Sequence, residues 1–187
     1  MDNELFWKLL KPVHPEAASF CRKLMGDPDE GDDLYQDALV SALNKFESLR
    51  RESAFRPWLF RIMVNNYRNR CRQVWWRRRV PLSQEVIETV AGRDPMGRYE
   101  AQRQLRYLMA NLSAEDRALV VLHEIEGWAT SELAGMLNKP EGTIKTRLFR
   151  ARAKMRRTLE RHLPKNKANS TSLEVAYAMQ RCKTMDE

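Results

Sequence analysis

Residues suited to covalent chemistry or metal binding are few in this sequence. Its three cysteines, Cys21, Cys71 and Cys182, stand far apart and form no CxxC pair. Neither a disulfide framework nor a thiolate zinc site is written into that spacing, and a reducing cytoplasm is the expected setting. The three histidines, His14, His123 and His162, are equally dispersed, so no metal and no cofactor is expected. Long apolar runs are missing as well. No stretch approaches the roughly 20 residues that span a bilayer. Met1 to Leu10 carries Asp2 and Glu4 and lacks the basic start and apolar core of a signal peptide. No membrane insertion is expected. Glycine is scarce, 7 residues in 187, while Leu, Ala, Arg, Glu and Met are common, which biases the chain toward helix.

What the sequence does have is charge gathered in blocks. Lys and Arg number 33 against 25 Asp and Glu, a net charge of +8, and a basic surplus points to a polyanion such as nucleic acid. From Asp27 to Asp37 the chain is acidic, with Asp27, Asp29, Glu30, Asp32, Asp33 and Asp37 and no Lys or Arg. From Phe55 to Arg79 the balance reverses: Arg56, Arg61, Arg68, Arg70, Arg72, Arg77, Arg78 and Arg79 occur with no acid. A second basic block runs from Lys139 to Arg161. The stretch Val80 to Arg98 between them holds Pro81, Gly92, Pro95 and Gly97 and reads as a linker. The expected organisation is all-α, two small helical domains over 1–79 and 104–163 joined by a linker over 80–103. Beyond them, 164–187 forms an extension, polar from Lys165 to Ser172 and weakly amphipathic from Leu173 to Met185.

Periodicity places the helices. Leu34, Leu39, Ala42, Leu43 and Phe46 fall near helical spacing after Asp32 or Asp33 as an N-cap. Phe55, Trp58, Leu59, Ile62 and Met63 repeat with the same period, and Pro57 suits the first turn of that helix. Trp58 belongs to its apolar face, while the other face carries Arg61, Asn65, Arg68 and Arg72. Trp75 and Trp76 precede three arginines and either stack on nucleic acid or close the domain. Further on, Leu105, Leu108, Met109 and Leu112 close one helix, Ser113 with Asp116 resembles a capping box, and Gly127 ends the next helix.

The segment from Glu126 to Arg152 has the layout of a helix-turn-helix. A short helix around Ser131 to Leu137 is followed by Asn138, able to take the left-handed conformation, and Pro140, able to start a helix running to Leu163. Leu133, Ala134, Leu137, Ile144 and Leu148 can pack across the turn. Lys145, Thr146, Phe149 and Arg150 then share the outer face of the half that enters a major groove.

The string Gly142-Thr143-Ile144-Lys145-Thr146-Arg147-Leu148-Phe149-Arg150-Ala151-Arg152 closely resembles the promoter-reading helix of the extracytoplasmic-function (ECF) group of sigma-70-type factors. Leu112 to Arg117, leading to Glu124-Ile125-Glu126-Gly127, resembles the lead-in to that domain. Independently, Asp33-Leu34-Tyr35-Gln36-Asp37-Ala38-Leu39 resembles the family's polymerase-docking helix, and Ser53 to Asn66 its helix that melts and reads the minus-ten element. The resemblance covers roughly Leu5 to Leu163, with the blocks in family order.

The resemblance implies a non-enzymatic factor whose partners are core RNA polymerase, promoter DNA and an anti-sigma factor. It assigns Asp33, Gln36 and Asp37 to the polymerase and Arg61, Asn65, Asn66 and Arg68 to the melted minus-ten strand. Lys145, Thr146, Arg147, Phe149 and Arg150 fall to the minus-thirty-five duplex. The linker would thread the polymerase cleft. Three departures stand out. Ala129 occupies the place of a Ser or Thr cap, which shifts the expected cap to Thr130; Lys139 and Glu141 replace apolar neighbours of the turn; and the tail after Pro164 exceeds the family end.

Two other readings compete. A stand-alone helix-turn-helix regulator explains the second domain but leaves the acidic helix and the Arg-rich helix unused. A metal-dependent nuclease built on Asp27 to Asp37 draws its acids from one element, whereas such sites collect ligands from several. An EF-hand fails on spacing, since its sixth and twelfth places from Asp27 are Asp32 and Ala38.

Overall fold

Helix α1 (Asn3–Leu10) drives Phe6 and Leu10 inward, and α2 (His14–Met25) follows with a proline in its first turn. Gly26 ends α2 at φ 74°, its N–H donating to the Arg22 carbonyl over 2.8 Å, the left-handed cap that glycine accepts without a Cβ clash. These helices come from a computed structural model that describes residues 3–77 and 104–162, with side chains through Gln73 and from 104 to Arg161. The expected linker, the extension over 164–187 and the side chains of Trp75 and Trp76 lie outside the described residues.

Helix α3 (Pro28–Leu43) starts earlier than the Asp32 or Asp33 cap the sequence suggested. Asp27 is the N-cap, its carboxylate accepting from the Glu30 N–H at 3.0 Å. Pro28 takes the first helical position, where its missing N–H costs nothing. Asp29 and Glu30 then sit in the first turn against the positive end of the helix dipole. The earlier start puts Gly31 inside the helix, where α3 crosses α2 so closely that a Cβ would lie 2.4 Å from Arg22 Cα.

Helix α4 (Phe55–Arg77) is the long cationic helix. Phe55, Trp58, Leu59, Ile62 and Met63 are buried, Trp58 in the core as its spacing implies. Around its start, Phe6 meets Phe46 and Phe55 edge-on at centroid separations of 5.2 and 5.6 Å, the geometry that ring quadrupoles favour.

The C-terminal helices are α5 (104–110), α6 (Ala114–Val120), α7 (Thr130–Leu137) and α8 (Glu141–His162). Ser113 caps α6 and accepts from the Asp116 N–H at 3.1 Å. A π-helical turn, Val121–Ile125, prolongs α6 toward Gly127. Asn138 is left-handed (φ 52°, ψ 51°) as expected. The cap of α7 is not Thr130, however. Ala129 holds the N-cap position, and its N–H is satisfied by the Glu132 carboxylate at 2.7 Å. Thr130 is thereby free to donate across the turn to Glu141 at 2.7 Å, which fastens α7 to α8. Lys139 pairs with Glu115, which ties the turn to the start of α6.

Among the described residues the fold is helical without strands, and no helix is long and apolar enough to cross a membrane. The buried residues of both halves join one cluster from Phe6 to Leu159. Helix α4 packs on α6 and α7, and α2 packs on the π turn. The two sets of helices therefore share a seam.

The crossing at Gly31 gives a test. Gly31→Ala forces α2 and α3 apart and should cost about 1–3 kcal/mol in a denaturant melt. Gly135→Ala, on α7 with nothing within 4 Å of the new methyl, should instead gain up to about 1 kcal/mol from helix propensity.

Candidate nucleic-acid interface

On α8, the buried stripe Ile144, Leu148, Ala151 and Met155 fixes which side faces out. Lys145, Thr146, Phe149 and Arg150 are all exposed on the other side, Phe149 to 71%. A phenylalanine held so far into solvent between cations has no packing role in this fold. Thr146 donates its hydroxyl to the Gly142 carbonyl at 2.8 Å, and Lys145 pairs with Glu141 at 2.9 Å. Both side chains of this pair lie in solvent, where screening leaves it weak, so a phosphate can displace it.

Arg147 is placed differently. Lying beside the buried stripe, it turns away from that face and bridges Glu115 at 2.6 Å and Asp116 at 2.9 Å. Its guanidinium thereby fastens α8 to the start of α6. Burial alone would raise the Glu115 pKa, but hydrogen bonds from Arg147 and Lys139 outweigh it and hold the group at about 2. The sequence carried the signal: acids at the start of α6 face a basic α8, yet Leu112 to Arg117 was legible only as a lead-in.

On α4, Arg61, Asn65 and Arg68 are exposed on one face, with Arg72 continuing the row. Asn66 is half-buried and donates to the Ser41 hydroxyl at 3.0 Å, so it braces α4 on α3. Arg68 and Arg72 also line a cleft of about 360 Å³ with Cys71, Ser113, Ala114, Glu115 and Arg147. The seam thus brings the predicted reading residues of α4 beside the base of α8.

On α3, Asp33, Gln36 and Asp37 are exposed on the face away from Leu34 and Ala38. Arg70 of α4 reaches Asp37 at 3.2 Å, but the Asp37 side chain stays 64% exposed. Val40, one turn further on, is 59% exposed and gives this acidic face an apolar centre that the sequence reading did not single out. Among the described residues, no group of three or more His, Cys, Asp and Glu side chains is arranged to hold a metal.

Glu115 supplies the pH test. A depressed carboxylate pKa means its contribution is complete above its ordinary value near 4.5 and is lost as pH falls through about 2. The thermal midpoint should drop on acidification across that window. Glu115→Gln should lower the midpoint at neutral pH and flatten this part of the pH profile, both read by melting curves.

The geometry agrees with what comparison finds. The sigma-70 region 2 family model matches residues 9–77, and the sigma-70 region 4 model matches residues 102–155. The ECF RNA polymerase sigma factor SigM of Mycobacterium tuberculosis is 32% identical over 158 residues, covering 84% of this chain and 79% of that protein. The ECF RNA polymerase sigma-E factor of Escherichia coli is 32% identical over 164 residues, covering 81% and 84%. Among solved structures, the sigma factor RpoE in complex with the anti-sigma factor NepR from Bartonella quintana aligns with a TM-score of 0.56 at 27% identity, over 84% of this chain and 98% of that one. Two regions in family order and relatives matched over most of their length place this chain in the ECF group of the sigma-70 family of RNA polymerase sigma factors.

Proposed function

We propose that this chain binds core RNA polymerase in the cytoplasm and directs it to promoters, carrying out no covalent step itself. The observation that carries the reading is that one short chain exposes three surfaces of different character: acidic α3, cationic α4 and the cationic outer face of α8. A regulator that only bound duplex would use α8 alone.

Asp33, Gln36 and Asp37 meet a basic surface of the polymerase, where complementary charge sets orientation and association rate. Lys145, Thr146, Phe149 and Arg150 enter the major groove of the minus-thirty-five element, and Arg147 holds α8 at the angle that presents them. Arg61, Asn65 and Arg68 take the opened minus-ten strand, with Asn66 bracing the helix beneath. A base out of the stack needs a polar reader such as Asn65, and its phosphates need arginine. Affinity for the opened strand alone shifts the melting equilibrium, because a ligand moves a two-state balance by its differential affinity. The structural relative in complex with an anti-sigma factor supports control by a partner of that type.

The test is reconstituted transcription with bacterial core polymerase on genomic promoter fragments. Promoter-specific initiation is expected, and Asn65→Ala or Arg150→Ala should each cost about 1–3 kcal/mol of promoter discrimination, roughly fivefold to 150-fold in initiation. Core binding, read separately by co-elution, should survive both changes but fail in Asp37→Lys. Tight binding of the chain to duplex without core binding or initiation would make it a stand-alone regulator instead.

A further inference from the structure

Cys21 and Cys71 both fall within the described residues, and the fold treats them oppositely. Cys21 is fully buried in the N-terminal core, and burial pushes its thiol up to about 12. Cys71 of α4 is free and half-buried, and it lines the cleft of about 360 Å³ together with Arg68, Arg72 and Arg147. Buried structural thiols are inert, whereas reactive ones sit in partly exposed, electropositive surroundings. None of the three surfaces described above uses the Cys71 thiol.

The charge around Cys71 is unevenly spent. Arg147 gives its charge to Glu115 and Asp116. Arg72 donates to the Asn69 amide oxygen, and Arg68 meets no carboxylate among the described residues. One stands next to Cys71 in sequence and the other about one turn before it, so two guanidiniums flank the thiol with charge available for a carboxylate.

A second observation lies beside the thiol. Tyr67, one turn before Cys71, is 1% exposed, and its buried hydroxyl has no hydrogen-bond partner. Such an orphan is rare in a folded protein and points to a redox role, a water or a ligand. Cys71 and Arg117 are its neighbours, and burial holds the phenol well above its usual range, so the O–H keeps its proton. A protonated donor here is placed to meet the sulfur when it carries charge.

We propose that Cys71 is a modification site: the cleft admits a small carboxylate-bearing disulfide, Cys71 keeps one half of it as a mixed disulfide, and the adduct closes the cationic row of α4 to the opened strand. The Cys71 thiolate attacks one sulfur of the small disulfide, so that a new S–S bond to Cys71 Sγ forms and the original S–S bond breaks. Cys71 is oxidised, the other sulfur leaves reduced as a thiolate, and the proton lost by Cys71 returns to that thiolate through water. The cleft volume falls in the range of small-ligand sites, roughly 300–1,000 Å³, which accommodates a tripeptide thiol. Carboxylates of the adduct pair with Arg68 and Arg72, so the adduct and the minus-ten strand exclude one another. The adduct stands by itself; the inhibition rests on the promoter-directing reading above.

The test uses the full-length chain with Cys182→Ser, which removes the thiol outside the described residues. The chain is incubated with glutathione disulfide and read by intact mass and peptide mapping. A single adduct is expected, on Cys71 and not on Cys21, and reductant should remove it. Exchange with hydroxyethyl disulfide, which is uncharged, gives the reactivity of the thiol without recognition. The ratio of the glutathione rate to this one should fall roughly tenfold in the Arg68→Gln, Arg72→Gln double variant, which loses two partly exposed arginine–carboxylate pairs. No adduct on Cys71, or a ratio that the double variant leaves unchanged, would overturn the site.

The purified adduct is then given core polymerase and promoter fragments. Initiation should fall to background relative to the reduced chain and return on adding reductant, while core binding by co-elution persists. A Cys71→Ser, Cys182→Ser chain given the same treatment should initiate as it does untreated. Undiminished initiation by the adduct would overturn the inhibition. Failure of the reduced chain to initiate on any fragment would count against the promoter-directing reading instead, and the site is then decided by the exchange rates.

Discussion

The Arg56 guanidinium is held between the Glu16 carboxylate and the face of Trp128, and the relation between the two halves of the chain turns on that contact. Its strength is moderate. A cation over an indole contributes about 0.5–2 kcal/mol depending on desolvation. A half-exposed ion pair adds about 0–1 kcal/mol, and the Arg56 and Glu16 side chains remain 37% and 29% exposed. Apolar burial adds to these terms, because Trp128 is buried and packs on Phe60 within the one cluster that both halves share.

Charge is sorted by the same logic elsewhere. Four acids of the C-terminal helices pair within the fold, Glu115 and Asp116 with Arg147, Glu124 with Arg152 and Glu126 with Lys23. Neutralising those cations leaves the outer face of α8 to Phe149, Arg150 and the weakly paired Lys145, so positive charge is concentrated where a groove would lie. On α3 the arrangement is reversed: Asp33 and Asp37 point outward, with a single arginine from α4 touching one of them. The opposite signs of these surfaces direct one toward nucleic acid and the other toward a basic protein surface.

Local chemistry was legible in the sequence and long-range packing was not. The Asn138 and Pro140 turn, the Ser113 cap and the apolar stripe of α4 depend on neighbours a few residues away, and each stands where the pattern put it. The start of α3 was misread because an acidic run offers several caps, and only the following Pro28 marks Asp27 as the one used. Thr130 was assigned the cap of α7 because Ala129 has no acceptor, but the Glu132 side chain satisfies that end from inside the helix. Arg147 sits in sequence between outward residues, yet it follows Ile144 by three and precedes Leu148 by one, which sets it at the rim of the buried stripe. The bond from Trp128 to Glu16 spans 112 residues, and no periodicity carries that information.

The central claim is that one short chain carries three exposed faces with separate partners. The most direct measurement is photo-cross-linking from a reactive side chain placed in turn at Gln36, Asn65 and Phe149, in a complex of the chain with core polymerase and a promoter fragment. Position Gln36 should cross-link to polymerase, Asn65 to the opened strand and Phe149 to the upstream duplex. Cross-links from Asn65 and Phe149 to protein alone would contradict the account.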